Sequence, residues 1–108
     1  MQRLLAGLAL ACLLLQAATI PVAAGDGDPK AGLDYAKLYC SSCHGIAGEG
    51  SPLPEAPPFH DVANQPGITQ TALQVWLQTS HPTMPNIVVA PEDMRNVIAY
   101  ILSLKGNI

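Results

Sequence analysis

Cys40, Cys43 and His44 form a C-x-x-C-H sequence, and this group of residues is suited to specific chemistry. Two cysteines three positions apart can each form a thioether bond with a vinyl group on the same porphyrin edge. The imidazole that follows then lies beneath the iron, where it can serve as an axial ligand. The spacing therefore predicts covalent attachment of one haem c to this pentapeptide.

Other uses of paired cysteines need features that the sequence does not predict. A zinc site needs a second pair of ligands, and a thioredoxin-like redox site needs βαβ units. A solvent-exposed dithiol beside a chance histidine is the simplest alternative. It would make the chain a haem-free thiol oxidoreductase, which would purify colourless with two titratable thiols.

An iron used for electron transfer needs a second axial ligand, and a thioether raises its reduction potential relative to a second histidine. Met84 is the favoured candidate because Pro82 and Pro85 hold the backbone on either side of it in a non-helical segment. His60 and His81 stay open as alternatives, since imidazole is the stronger ligand.

Residues 1–24 have the pattern of a signal peptide. Arg3 provides a positive start, residues 4–15 are apolar, and residues 22–24 are small, as at a cleavage site. Cys12 lies within this leader and is expected to be discarded with it. The apolar run is too short for a typical membrane-spanning helix, although a leader kept as an anchor remains an alternative.

The remaining residues, 25–108, are predicted to form a single monohaem domain. Their length of 84 residues provides only a thin core, which a buried porphyrin would supplement. Once Arg3 is removed, 4 Lys and Arg face 8 Asp and Glu, a net charge of −4. This acidic balance argues against nucleic acid as a partner.

Three helical segments are predicted. The last covers about 91 to 105, because five apolar residues fall at i, i+3, i+4, i+7 and i+8 and Pro91 suits its first turn: Met94, Val97, Ile98, Ile101 and Leu102. This places Met94 in the core. A middle helix is expected from Thr69 as N-cap to about Thr79.

The first helix is expected to begin with Asp28 as N-cap and Pro29 at its first position, and to run into the haem motif. One face of it holds Gly32, Tyr35, Ala36, Tyr39, Cys40 and Cys43. The attachment site is therefore predicted on the buried side.

The 24 residues between His44 and Thr69 are rich in proline and glycine and show almost no periodicity. A structureless stretch of that length is unusual in a small domain unless it wraps something. We expect it to wrap one edge of the haem.

The haem motif is followed by Leu73-x-x-Trp76-Leu77, then Met84-Pro85, then a last helix with Ala99-Tyr100-Ile101. This order of elements resembles the small bacterial monohaem kind of class I c-type cytochrome. The resemblance covers essentially the whole of residues 25–108. It implies an all-α, cytochrome c-like fold, with three main helices and a long Pro/Gly-rich loop around one covalently bound haem.

The resemblance also assigns roles within the pocket. It implies that His44 and Met84 are the axial ligands, and that a carbonyl of the Pro-rich loop, best matched by Pro57, accepts the other imidazole hydrogen. Trp76 resembles the family's aromatic residue beside the haem, although plain core packing would also explain it.

The family pattern further implies that the first and last helices cross at close range through Gly32 and Tyr100. The chain departs from it at Ala36, where many relatives have a large aromatic residue. Tyr35 or Tyr39 is therefore expected to pack against the last helix in place of that aromatic residue.

The resemblance implies an exported, periplasmic electron carrier rather than an enzyme. Its partners would be a periplasmic dehydrogenase, a terminal oxidase or both, and no stable membrane insertion of residues 25–108 is expected. Two alternatives keep the haem: a cytochrome subunit of a periplasmic dehydrogenase complex, and a haem-based peroxidase or gas-binding protein.

Overall fold

A computed structural model describes residues 27–79 and 83–106. All regular structure in these two ranges is helical, which confirms the all-α prediction. The helices are α1 (Pro29–Tyr39), α2 (Phe59–Asn64), α3 (Gln70–Gln78) and α4 (Pro91–Ser103). The predicted signal peptide, residues 1–24, lies outside the described ranges.

The starts of α1 and α3 follow from side-chain capping. Asp28 accepts a 2.9 Å hydrogen bond from the N–H of Lys30, and proline occupies the first turn of α1 as predicted. Thr69 Oγ1 accepts a 3.1 Å bond from the N–H of Ala72. Both N-caps predicted from the sequence are confirmed.

The last predicted helix is also confirmed, with Pro91 in its first turn and Glu92 and Asp93 near its positive dipole end. It ends at Ser103, slightly earlier than predicted, and continues as a turn. Gly106 then takes a positive φ of 77°, which ends the helical path.

The expectation that residues 45–68 lack secondary structure is wrong at α2. Phe59, Val62 and Ala63 follow the i, i+3, i+4 spacing, and Phe59 and Ala63 are buried. With six residues, this helix is too short for periodicity to stand out, and prolines precede it. Its stability comes from packing against the rest of the fold rather than from helix propensity.

The close crossing of α1 and α4 is confirmed at Gly32. A β-carbon at this position would overlap the backbone carbonyl of Asn96 and lie 2.9 Å from the β-carbon of Tyr100. The side chain of Asn96 also accepts a 2.8 Å bond from the N–H of Asp28. The glycine therefore allows the two helix backbones to touch.

The core lies between α1, α2, α3 and α4. Its buried members are Ala36, Ile46, Phe59, Ala63, Leu73, Met94, Val97, Ile98, Tyr100 and Ile101. Met94 belongs to it as predicted. Among the described residues, no helix combines the length and apolar character needed to cross a bilayer.

The predicted face of α1 has two environments rather than one. Gly32 and Ala36 are buried, whereas Tyr35 is half-buried and Tyr39 remains 55% exposed. The rings of Tyr35 and Tyr39 pack with centroids 4.6 Å apart. Tyr35 and Cys40 pack against the edge of the core, and Tyr39 and Cys40 also line the cavities described next.

Candidate haem-binding site

A cavity of about 570 Å³ brings the sequence-predicted site residues together. This volume is in the usual range for a small-molecule or cofactor site. Its lining includes all six predicted site residues: Cys40, Cys43, His44, Pro57, Trp76 and Met84. A second cavity of about 320 Å³ shares Tyr39, Cys40, Met84, Pro85 and Ile87 with it.

The cysteines are presented by a turn at the C-terminal end of α1. The N–H of Ser41 bonds to the carbonyl of Ala36 at 3.0 Å, and the N–H of His44 bonds to the carbonyl of Cys40 at 2.9 Å. Cys40 and Cys43 are half-buried free thiols that line the same cavity. The turn thus brings two thiols and one imidazole to a single wall.

The environment of Cys40 does not suit a thiol oxidoreductase. Burial, helped by the neighbouring Cys43, raises the pKa of the Cys40 thiol to about 11. A reactive redox cysteine needs a lowered pKa, because the thiolate is the nucleophile. Cys40 is therefore not placed as an activated redox thiol.

The orientation of His44 leaves one ring nitrogen available to a metal. Its Nδ1 lies 2.7 Å from the carbonyl oxygen of Pro57. Because a carbonyl only accepts hydrogen bonds, Nδ1 must carry the proton and donate it. In the neutral ring, Nε2 then keeps its lone pair, which is the arrangement usual for a ligating histidine.

Met84 and Trp76 come to the cavity from two further parts of the chain. Met84 is half-buried and lines both cavities, in a segment without regular secondary structure. Trp76 projects from α3 and is 54% exposed while it lines the larger cavity.

The rival histidines are placed differently. His60 lies in α2, with its Nε2 3.1 Å from a carboxylate oxygen of Asp61, and lines neither cavity. His81 lies outside the described residues. Of the described alternatives for the second axial position, Met84 is therefore the one that faces the cavity.

The residues of the larger cavity fit a covalently attached haem. Two thiols, an imidazole whose Nε2 keeps its lone pair, and a thioether face a mainly apolar cavity. Leu53, Val62, Ile68 and Leu73 also line it. Within the described ranges, no group of three or more His, Cys, Asp or Glu residues is placed to hold a metal ion on its own. The donor set suits a porphyrin iron better than zinc.

Sequence reasoning missed the importance of Phe59. Its ring lies 5.2 Å from the ring of His44, and its N–H donates a 2.8 Å bond to the carbonyl of Gly45. The available signal was its position just after Pro57 and Pro58, as the only phenylalanine of the chain. The short α2 that carries it could not be recognised from periodicity.

Comparison with known proteins agrees with this geometry. The family model described as cytochrome c matches residues 30–105. The chain is also 34% identical over 95 residues to cytochrome c-552 of Bradyrhizobium diazoefficiens, covering 87% of this chain and 91% of that protein. No solved structure is a significant match. The chain therefore belongs to the cytochrome c family, as a small class I c-type cytochrome of the bacterial kind that binds haem c covalently and serves in electron transfer.

Proposed function

We propose that this chain carries single electrons between periplasmic respiratory partners through a His/Met-ligated haem c. Cys40 and Cys43 would hold the haem through two thioether bonds, and His44 Nε2 and the Met84 sulfur would bind its iron. When bound, the haem supplies an iron that alternates between the ferrous and ferric states. The observation that carries this proposal is the presence of all four side chains on the wall of one cavity.

The chain's own residues control this chemistry by orientation and burial. The carbonyl of Pro57 holds the Nδ1 proton of His44 and fixes the ring orientation. Trp76 and the apolar lining of the cavity would limit the access of water to a bound haem. With His44 and Met84 both bound to the iron, no site for a substrate would remain at the metal, which is the arrangement expected of a carrier.

The location and partners follow from the leader and from the surface. Residues 1–24 act as a signal peptide and direct residues 25–108 to the periplasm. Among the described residues, the large apolar side chains that stay exposed are Leu38, Tyr39, Leu53, Val75, Trp76 and Val88. Three of them, Tyr39, Leu53 and Trp76, line the larger cavity. A dehydrogenase or an oxidase would therefore dock by apolar or mixed contacts rather than through a basic ring.

The covalent haem and its attachment residues can be tested together. The protein is produced with a haem-attachment system, and the mass of the denatured product is measured by mass spectrometry. We expect the mass of the processed polypeptide plus one haem. Loss of the bound haem mass is expected in a Cys40→Ala, Cys43→Ala double variant, whereas Ser41→Ala, Ser42→Ala is the matched control and should keep it. A parent protein that lacks the haem mass would overturn the proposal.

Carbon monoxide distinguishes a carrier from a gas-binding protein or a peroxidase. With Met84 bound, the ferrous protein should bind carbon monoxide slowly and incompletely at neutral pH. Fast and complete binding would show that the second axial position is open, and would overturn the carrier assignment. Stoichiometric co-purification with a dehydrogenase would instead identify a dedicated subunit with the same chemistry.

A further inference from the structure

Gly45 and Ile46 directly follow His44, the proposed axial ligand. The backbone N–H and the backbone carbonyl of each of these two residues make a hydrogen bond. On the loop side, the N–H of Gly45 donates to Ser51 Oγ at 2.9 Å, and the N–H of Ile46 donates to a carboxylate oxygen of Glu49 at 2.9 Å. Gly45 is also packed so closely that a β-carbon would overlap the carbonyl of Glu49. This segment therefore has little freedom to move.

On the helix side, the two carbonyls of the same segment are held by α2 and α4. The N–H of Phe59 donates to the carbonyl of Gly45 at 2.8 Å. The hydroxyl of Tyr100 donates to the carbonyl of Ile46. Burial, together with the negative charge of Glu49, raises the pKa of Tyr100, so the hydroxyl keeps its proton and remains a donor.

Aromatic packing extends this support to the imidazole itself. The ring of Phe59 lies 5.2 Å from that of His44 at an interplanar angle of 49°, and 6.5 Å from that of Tyr100. Phe59 is 6% exposed and Tyr100 is 7% exposed. A series of rings therefore runs from buried Tyr100 of α4 through buried Phe59, the first residue of α2, to half-buried His44.

We propose that Phe59 and Tyr100 are positioning residues that fix the orientation of the His44 imidazole and keep water from its side of the iron. This inference rests on the proposed function, in which His44 is an axial ligand. The backbone bonds fix the path of the chain at His44, and the Phe59 ring limits rotation of the imidazole. Groups beyond the ligands tune a metal centre through orientation and burial.

The direction of the effect follows from charge. The ferric centre carries one more positive charge than the ferrous centre, so an environment with little water favours the ferrous state. Loss of the Phe59 ring, or of the Tyr100 hydroxyl that donates to the Ile46 carbonyl, would admit water and stabilise the ferric state. The reduction potential should therefore fall.

The test uses the haem-loaded protein and two variants. Phe59→Leu removes the aromatic ring and keeps the backbone N–H, and Tyr100→Phe removes only the hydroxyl. Ile98→Val is the control, because Ile98 is buried in α4 like Tyr100, but its aliphatic side chain has neither a hydroxyl to donate to the Ile46 carbonyl nor a ring to pack against His44. The readouts are the reduction potential and the electron paramagnetic resonance spectrum of the ferric protein, which reports the ligand orientation.

At the potential that half-reduces the parent protein, both variants should show a ferric-to-ferrous ratio above one. Their resonance spectra should be shifted or broadened, while Ile98→Val should match the parent in both readouts. If Phe59→Leu does not fold, Tyr100→Phe alone decides the outcome.

Potentials and spectra within the range of the control would overturn the positioning role. A parent spectrum without histidine–methionine ligation would instead overturn the proposed function. The two failures are thus distinguishable.

Discussion

The Nδ1 atom of His44 donates a 2.7 Å hydrogen bond to the carbonyl oxygen of Pro57, which lies 13 residues further along the chain. This bond selects one tautomer of the imidazole. It also connects the haem motif to the Pro-rich loop just before α2. The loop therefore contributes to the proposed axial ligand as well as to the cavity wall.

The selected tautomer can be observed directly. In the diamagnetic ferrous protein, nitrogen-edited nuclear magnetic resonance should show one slowly exchanging His44 ring proton, on Nδ1. Its exchange should be slow because the Pro57 carbonyl holds it and the ring is half-buried. A proton on Nε2 of His44 would contradict the proposed ligation, since that nitrogen must bind the iron.

Replacement of Met84 tests the second axial ligand. Met84→Ala should abolish the oxidised-state charge-transfer band and lower the reduction potential by on the order of 0.1 V, because a thioether ligand raises the potential. Absorption spectroscopy and redox titration measure both effects.

Met94→Leu is the matched control for this ligand test. Met94 is a buried core residue that lines the smaller cavity, so its replacement should leave the band in place. A Met84→Ala protein with an unchanged band and potential would show that another group binds the iron.

The crossing of α1 and α4 should be sensitive to a single methyl group. Gly32→Ala places a β-carbon against the carbonyl of Asn96, where neither backbone can move easily. We expect a loss of about 3 kcal/mol in the free energy of unfolding, at the upper end of typical overpacking costs. Denaturant titration of the haem-loaded protein measures the change.

Gly50→Ala is the matched control for this crossing. Nothing lies within 4 Å of the β-carbon that alanine would add at position 50. Its unfolding free energy should therefore stay within about 0.5 kcal/mol of the parent's. Equal effects of the two substitutions would contradict the close crossing.

Glu49 should make the stability of the haem-motif loop dependent on pH. Hydrogen bonds from the backbone N–H of Ile46 and that of Ala47 lower the pKa of its carboxyl from the ordinary value of 4.5. A lowered folded-state pKa adds stability that is fully present above the unfolded-state pKa and is lost as the pH falls through the folded-state value.

The free energies of unfolding of the parent and of Glu49→Gln should therefore differ most at neutral pH. This difference should shrink as the pH falls below about 4.5. Glu49→Asp retains the charge but is too short to reach both N–H groups, so it should behave like Glu49→Gln. A difference that stays constant from neutral pH to about pH 3 would show that these bonds do not depend on the charge.

The sequence predicted the local features of this protein well. The N-caps at Asp28 and Thr69 and the apolar stripe of α4 depend on residues close together in the chain. The haem motif is also local, because one turn of backbone is enough to bring Cys40, Cys43 and His44 together. Local periodicity and capping determine such features, so a single sequence contains them.

The resemblance to cytochromes added expectations that involve distant residues. Contact between Gly32 and α4 and the bond between His44 and the Pro57 carbonyl are both present. Neither could have been derived from spacing alone. Both contacts depend on how the helices and loops pack together. The family pattern contains this information, whereas the periodicity of a single sequence does not.

Tertiary structure alone decided the position of α2 and the role of Phe59. A six-residue helix has too few turns to show a period, and its stability depends on contacts with α4 and with the segment after His44. Only the tertiary structure also showed that Gly32 and Ala36 are buried while Tyr39 lines a cavity. The exposure of a helix residue depends on which other element packs against it. The haem motif consists of neighbouring residues, so the sequence alone predicted it. The packing of Phe59 against His44 joins residues distant in the chain, so only the tertiary structure showed it.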